Sequence, residues 1–180
     1  MSRRRDQLAC DYAGDMPGVS ARAVFNGPRT FRYLLERRWL PGPVMTWIML
    51  NPSTAGAFTD DPTVRRCVSF ARREGCGGVR VVNLFAFRAT DPRELRTHPD
   101  PVGPCNDRFI NEYAQGSMVV AAWGAGGALS QRGFSAGRRL AAAGTPLSCL
   151  GVTVSGHPRH PLYVHRDAPL TPWAPDGGSR

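Results

Sequence analysis

Apolar residues gather in four short runs, at 44–50, 79–87, 118–123 and 148–154, separated by stretches of helical period and by loops. Near-continuous apolar runs of this length are typical of strands buried on both faces of a parallel sheet, where neither face is left for polar residues. A helix is predicted over 61–75. Asp61 supplies an N-cap, Pro62 suits the first helical position, and Val64, Cys67, Val68 and Ala71 fall at i, i+3, i+4 and i+7. A second helix over 106–114 brings Phe109, Ile110 and Tyr113 to one face. A third over 131–143 is weakened by Gly133 and Gly137. Ahead of the first run, 21–25 and 30–35 flank Asn26-Gly27-Pro28 and read as a hairpin.

Strands that alternate with helices build sheets covered on both faces through right-handed crossovers. The expected fold is therefore α/β, a three-layer sandwich around a central, mainly parallel four-stranded sheet, preceded by an N-terminal hairpin. Residues 21–165 form one domain, 1–20 a mobile lead-in without periodicity, and 166–180 a loop-like tail. No internal repeat or linker divides the chain.

Each apolar run ends in polar or glycine residues. Asn51-Pro52-Ser53-Thr54 follows the first, Asn83 lies inside the second, Trp123-Gly124 closes the third, and Gly156-His157-Pro158-Arg159-His160-Pro161 follows the fourth. Ligands of open α/β sheets bind outside the carboxyl ends of the strands, so these positions are the first candidates for chemistry. Asn51 opens a turn of small residues that lets backbone approach a ligand, although ordinary turns use the same residues. Asn83 is an amide within an apolar run, where burial obliges it to find partners for up to four hydrogen-bonding sites. It is either a brace between strand and loop or a reader of a planar, amide-like ligand edge. Prolines flank His157 and His160 and stiffen their loop. His98 and His165 read as filler.

Composition narrows the class. The 180 residues are 42% hydrophobic and 21% charged, ordinary for a soluble globular protein. No run approaches the roughly 18 apolar residues of a membrane span, and no apolar stretch follows the basic start, so the expected location is cytoplasmic. Five scattered cysteines without a Cys-x-x-Cys pair suit reduced thiols. Asp60, Asp61 and the paired histidines match no standard metal spacing, and no metal or cofactor is expected. The net charge is +9, and arginine supplies all 23 basic residues. This excess over 14 acids favours a polyanionic partner, nucleic acid and above all DNA, through phosphate neutralisation. Phosphate-binding, dinucleotide-binding and hydrolase-elbow motifs are absent.

Leu50-Asn51-Pro52-Ser53-Thr54-Ala55, Asp60-Asp61-Pro62-Thr63-Val64-Arg65-Arg66-Cys67 and Asn83-Leu84-Phe85-Ala86-Phe87-Arg88-Ala89-Thr90-Asp91-Pro92 resemble the bacterial DUF1643 family, of unknown function. Pro101-Val102-Gly103-Pro104, Asn106-Asp107, Trp123-Gly124 and the His157–His160 loop extend the resemblance over roughly 20–165. The order of the strand-end residues is also similar to the uracil-DNA glycosylase superfamily, three-layer α/β proteins that cleave N-glycosidic bonds. That likeness implies that Asn51 positions or activates the attacking water. It implies that Asn83 hydrogen-bonds the base edge and that His157, or alternatively His160, stabilises charge on the departing base. By position alone, Phe58 would offer a stacking face, and Arg65, Arg66, Arg88 and Arg159 would hold backbone phosphates. The first loop lacks the glycine that opens the superfamily's motif. The leading expectation is a glycosylase-like hydrolase acting on a damaged or modified base. The alternatives are a non-catalytic base-binding module and a hydrolase or transferase of a free nucleoside-like molecule.

Overall fold

The computed structural model describes residues 10–116 and 118–176. The chain runs through β1 (Cys10–Met16), β2 (Val19–Phe25), β3 (Arg32–Arg38), β4 (Val44–Met49), α1 (Pro62–Arg73), β5 (Gly78–Asn83) and α2 (Asn106–Ala114). It continues through β6 (Met118–Ala121), α3 (Arg132–Ala142), β7 (Leu147–Cys149) and β8 (Thr171–Pro172). The four apolar runs supply β5, β4, β6 and β7, adjacent in that order and parallel to one another.

The sheet is mixed rather than mainly parallel, and it has eight strands among the described residues rather than four. The expected hairpin is no separate prelude. Its second strand, β3, lies antiparallel against β5, pairing Leu35 with Val81 and Arg38 with Gly78. The sheet thereby continues through β2 to β1. Part of the expected lead-in is thus sheet: β1 pairs with β2 from Cys10 opposite Phe25 to Met16 opposite Val19. Residues 1–9 of that lead-in lie outside the described residues. The expected tail also contributes structure, since β8 pairs antiparallel with β7 and Trp173 is buried against Trp123, ring centroids 5.2 Å apart. Hydrophobic periodicity did not expose these edge strands because β1 (Cys-Asp-Tyr-Ala-Gly-Asp-Met) is mixed in polarity and β8 has only two residues.

Alternation along β4 divides the core into two. Met45, Trp47 and Met49 pack with Val64, Cys67, Phe70 and Ala71 of α1. Ile48 joins Val82, Tyr33, Phe109, Ile110 and Leu140 on the face covered by α2 and α3. Helices therefore cover both faces, as a buried parallel sheet requires. The predicted N-cap holds: the Asp61 carboxylate accepts from the Val64 N–H at 2.8 Å, with Pro62 at the first helical position.

The two α3 glycines act by packing. A Cβ at Gly133 would lie 2.6 Å from the Trp123 Nε1, and one at Gly137 would lie 2.7 Å from the Trp173 ring. Each glycine costs about 1 kcal/mol of helix propensity relative to alanine. In return, α3 settles directly onto two indoles. Among the described residues no helix is long and apolar enough to cross a membrane.

Candidate functional site

A cleft of about 690 Å³ opens at the carboxyl edge of the parallel strands. It is centred on β4, which has β5 on one side and β6 on the other, so the strand order reverses there. Such a switch point leaves the following loops diverging, and the gap between them holds ligands in open α/β sheets.

Asn51 and Asn83 both reach this cleft, from the ends of neighbouring strands. Their amides are used differently. The Asn51 Nδ2 donates to the backbone oxygens of Pro52 at 3.0 Å and Ala89 at 2.8 Å. Two carbonyl partners fix which end of the amide is nitrogen, and they leave Oδ1 as its remaining acceptor. Asn83 is 1% exposed, and neither its Oδ1 nor its Nδ2 has a hydrogen-bond partner among the described residues. A fully buried amide with both ends unpaired is costly, and native proteins keep few such groups without a purpose.

Around Asn83 the backbone is firmly held. Asn106, the first residue of α2, donates from Nδ2 to the carbonyls of Asn83 and Leu84, each at 2.9 Å. The Leu84 carbonyl also accepts from the Arg132 Nε at 3.1 Å. Arg132 and Arg139 both pair with Asp107, the second residue of α2. Burial disfavours the ionised form of Asp107, but these two guanidiniums outweigh it and hold the carboxyl below its ordinary range. The strand end is therefore braced from α2 and α3, while the side chain it presents is left unpaired.

The two histidines of the last loop separate. His160 lines the cleft. Its Nδ1 accepts from the Leu162 N–H at 3.3 Å, so its neutral form carries the proton on Nε2. Burial lowers its pKa, with Asp61 opposing. His157 lies behind the wall, 3% exposed. Its Nδ1 accepts from the Trp123 Nε1 at 3.4 Å, and its ring stands 4.4 Å from Phe134. Burial lowers its pKa as well. Trp123 itself forms part of the cleft wall, and the Gly124 N–H bonds the Pro158 carbonyl at 2.8 Å. Gly124 has φ of +66°, which a residue with a Cβ rarely adopts.

Other expected positions disperse. Phe58 is 48% exposed and outside the cleft lining; its ring edge lies 3.0 Å from where a Cβ on Gly14 of β1 would sit. Of the four arginines, Arg159 lines the cleft while its Nε donates to the Val152 carbonyl. Arg66 donates to the carbonyls of Pro161 and Val164, tying α1 to the segment that follows His160. Arg65 bonds the Asp60 carbonyl, and Arg88 bonds the Arg29 carbonyl and lies over the Phe25 ring at 5.3 Å. His98 stacks on Phe87 at 3.9 Å, well within an aromatic cluster.

The sequence presents Asp61 as a helix cap without placing it in the cleft, and it gives Arg32 no role. Asp61 is both the cap of α1 and a carboxylate in the cleft wall. Arg32 is 3% exposed, and its Nη1 donates to the Ala55 carbonyl at 2.8 Å. Burial pushes its pKa down to about 10; Asp61 opposes that shift, and Arg88 and Arg37 add to it. The available signal was an arginine between Phe31 and Tyr33, opening a strand whose next three residues, Tyr33-Leu34-Leu35, are apolar. Among the described residues no three His, Cys, Asp or Glu side chains group as metal ligands would.

No curated protein and no solved structure matches the chain. Residues 32–162 match the family described as "Protein of unknown function (DUF1643)", and this span begins at Arg32 and includes every residue that lines the cleft but one, Tyr163. The chain belongs to the DUF1643 family.

Proposed function

We propose that the cleft holds a nucleobase or base-like heterocycle and hydrolyses its N-glycosidic bond, with nucleic acid, DNA first, as the carrier. The observation behind this reading is the unpaired, buried Asn83 amide in the cleft wall. An amide carries one acceptor and one donor side by side. It matches the complementary pair on a lactam or amidine edge, and a flipped base presents such an edge to a tight pocket. The cleft volume suits a single heterocycle with its sugar. The residue order also resembles that of the uracil-DNA glycosylase superfamily.

In the proposed reaction the bond between C1′ and the base nitrogen breaks, and its electron pair leaves with the base. Water adds to C1′, and one of its protons ends on the base. The Asn51 Oδ1, kept free by the bonds its nitrogen makes, orients the water. The His160 Nε2–H donates toward the charge that develops on the base. Donors aimed at developing charge lower the barrier more than ground-state contacts do. His157, held by Trp123 behind the wall, steadies the indole.

The test is abasic-site formation on oligonucleotides carrying uracil, hypoxanthine or hydroxymethyluracil, with Asn83→Ala as control. Strand cleavage after alkali with the wild type, lost in the variant, is the expected result. Binding without abasic sites would instead favour a non-catalytic reader. One observation favours a free nucleoside as substrate. All four expected phosphate contacts, Arg65, Arg66, Arg88 and Arg159, already donate to backbone carbonyls, and of them Arg159 alone lines the cleft. Duplex affinity falling steeply with salt, about 0.9 log units of Kd per log unit of salt for each phosphate contacted, supports the nucleic-acid form. A flat dependence supports the nucleoside.

A further inference from the structure

We infer that Arg32 is an oxyanion-binding residue of the cleft, holding the negatively charged ring oxygen of a deprotonated heterocyclic base whose amide edge Asn83 holds. This rests on the base-holding reading of the cleft and adds to it a charge state and a residue.

Topology brings Arg32 there. β3 lies antiparallel to β5, so the first residue of β3 stands at the carboxyl edge of the parallel strands. The Arg32 N–H bonds the Ala86 carbonyl at 2.9 Å, three residues beyond Asn83. Burial is nearly complete, yet its Nε has no hydrogen-bond partner among the described residues. A buried guanidinium without a carboxylate in contact is expensive unless something of opposite charge joins it. Arg32 and Asn83 thus leave three buried polar atoms unpaired in one cleft wall, one of them on a permanent cation.

The surrounding charges are divided, with the cleft carboxylate of Asp61 acting on Arg32 most strongly. Arg37 and Arg88 act on Arg32 from the same side of the charge balance, and Asp61 acts against them. Asp60, the neighbouring carboxylate, is already paired with Arg37 at 2.9 Å. His160 faces the same cleft as a neutral donor when deprotonated, whereas Arg32 brings full charge. A charged donor is roughly twice as strong as a neutral one. In the proposed reaction the departing base is the anion in question, so Arg32 would stabilise the leaving group beside His160.

Free bases test this without requiring turnover. Calorimetric binding of uracil, 5-fluorouracil and 6-azauracil, which differ in ring N–H acidity, is measured across pH values from about 6 to 9. For the wild type, affinity should rise about tenfold or more as 5-fluorouracil and 6-azauracil lose their ring proton, while uracil, which stays largely neutral over this range, should gain much less. The rise should vanish in Arg32→Gln and persist in part in Arg32→Lys, with thermal unfolding confirming that both variants fold. Should Arg32→Gln fail to fold, Arg32→Lys and His160→Gln carry the test: the preference should weaken in the first and persist in the second, and the reverse overturns the inference. Binding that is indifferent to base ionisation but lost in Asn83→Ala overturns the inference and leaves the base-holding reading intact. A preference that survives Arg32→Gln and disappears in His160→Gln also overturns it. So does inorganic phosphate binding that depends on Arg32 while the ionised bases gain nothing. Failure of every base to bind at any pH overturns both readings.

Discussion

The end of β5 and the loop after β7 each bury one polar side chain, Asn83 and His157, and the protein treats the two oppositely. His157 takes a hydrogen bond from the Trp123 indole, packs on Phe134, and lies behind the cleft wall. Asn83 lines the cleft with both ends of its amide unpaired, while two side chains, Asn106 of α2 and Arg132 of α3, brace the backbone beside it. Both are almost fully buried, so burial does not distinguish them. Hydrogen-bond satisfaction does. A buried polar group whose needs the fold meets is part of the fold, and one whose needs the fold leaves unmet points to a ligand.

Several substitutions would break or sharpen this contrast. Trp123→Ala should have the largest effect, removing an indole that Gly133 of α3 packs against and that holds His157. A loss of about 3–5 kcal/mol is expected in chemical denaturation. A loss below about 1 kcal/mol would mean His157 keeps its place without the indole. Asn106→Leu should cost about 1–3 kcal/mol through the orphaned Asn83 carbonyl, and should weaken base binding by loosening the strand end. Asn83→Ala should reduce base affinity by about 1–3 kcal/mol, measured by calorimetry. Its melting temperature should stay level or rise, because an unpaired amide is removed from the interior. A clear drop in melting temperature with unchanged affinity would make Asn83 a brace and erase the contrast.

His157→Gln should cost about 1 kcal/mol of stability while leaving base affinity unchanged. The smallest effect concerns pH. Both loop histidines have folded pKa values below the ordinary 6.5 because burial disfavours their charged form. Between the folded and unfolded values the unfolded chain binds more protons, so stability should fall as pH drops below about 6.5 and level off once the folded values are passed. Asp107 acts in the same sense but only at more acid pH, since its folded pKa lies below 3.8 and its contribution is lost as pH falls through that range. Denaturation midpoints at pH values from about 7 to 5 check the histidine window, and His157→Gln should flatten part of the slope.

Much of the architecture was legible because it is written in local pattern. The parallel strands followed from apolar runs, and α1 followed from Asp61-Pro62 and the Val64–Ala71 periodicity. Asn106–Ala114 was bounded to the residue. Strand ends were less legible. The runs at 79–87 and 148–154 stay apolar after β5 ends at Asn83 and β7 at Cys149: Leu84, Phe85, Ala86 and Leu150 are buried beyond the strand ends, whereas Val152 and Val154 are exposed. The wing β1–β2–β3 shows in the sequence only in part, as a hairpin, because its attachment to β5 depends on pairing between segments distant in sequence.

The candidate site divides the same way. The sequence by itself determined that Asn51, Asn83 and the His157–His160 loop stand at strand ends, since residues that close a buried strand are delivered to the sheet edge by the strand's own length. Only the tertiary structure decided which of them remain unsatisfied. Asn51 spends its amide nitrogen on Ala89, 38 residues away; His157 is claimed by Trp123 and turned from the cleft that His160 lines. Arg32 arrives because β3 enters antiparallel, which sends the start of a strand, rather than its end, to the ligand edge. Hydrophobic periodicity records which face a residue takes; partner and direction come from strand pairing, and that is a property of the whole sheet.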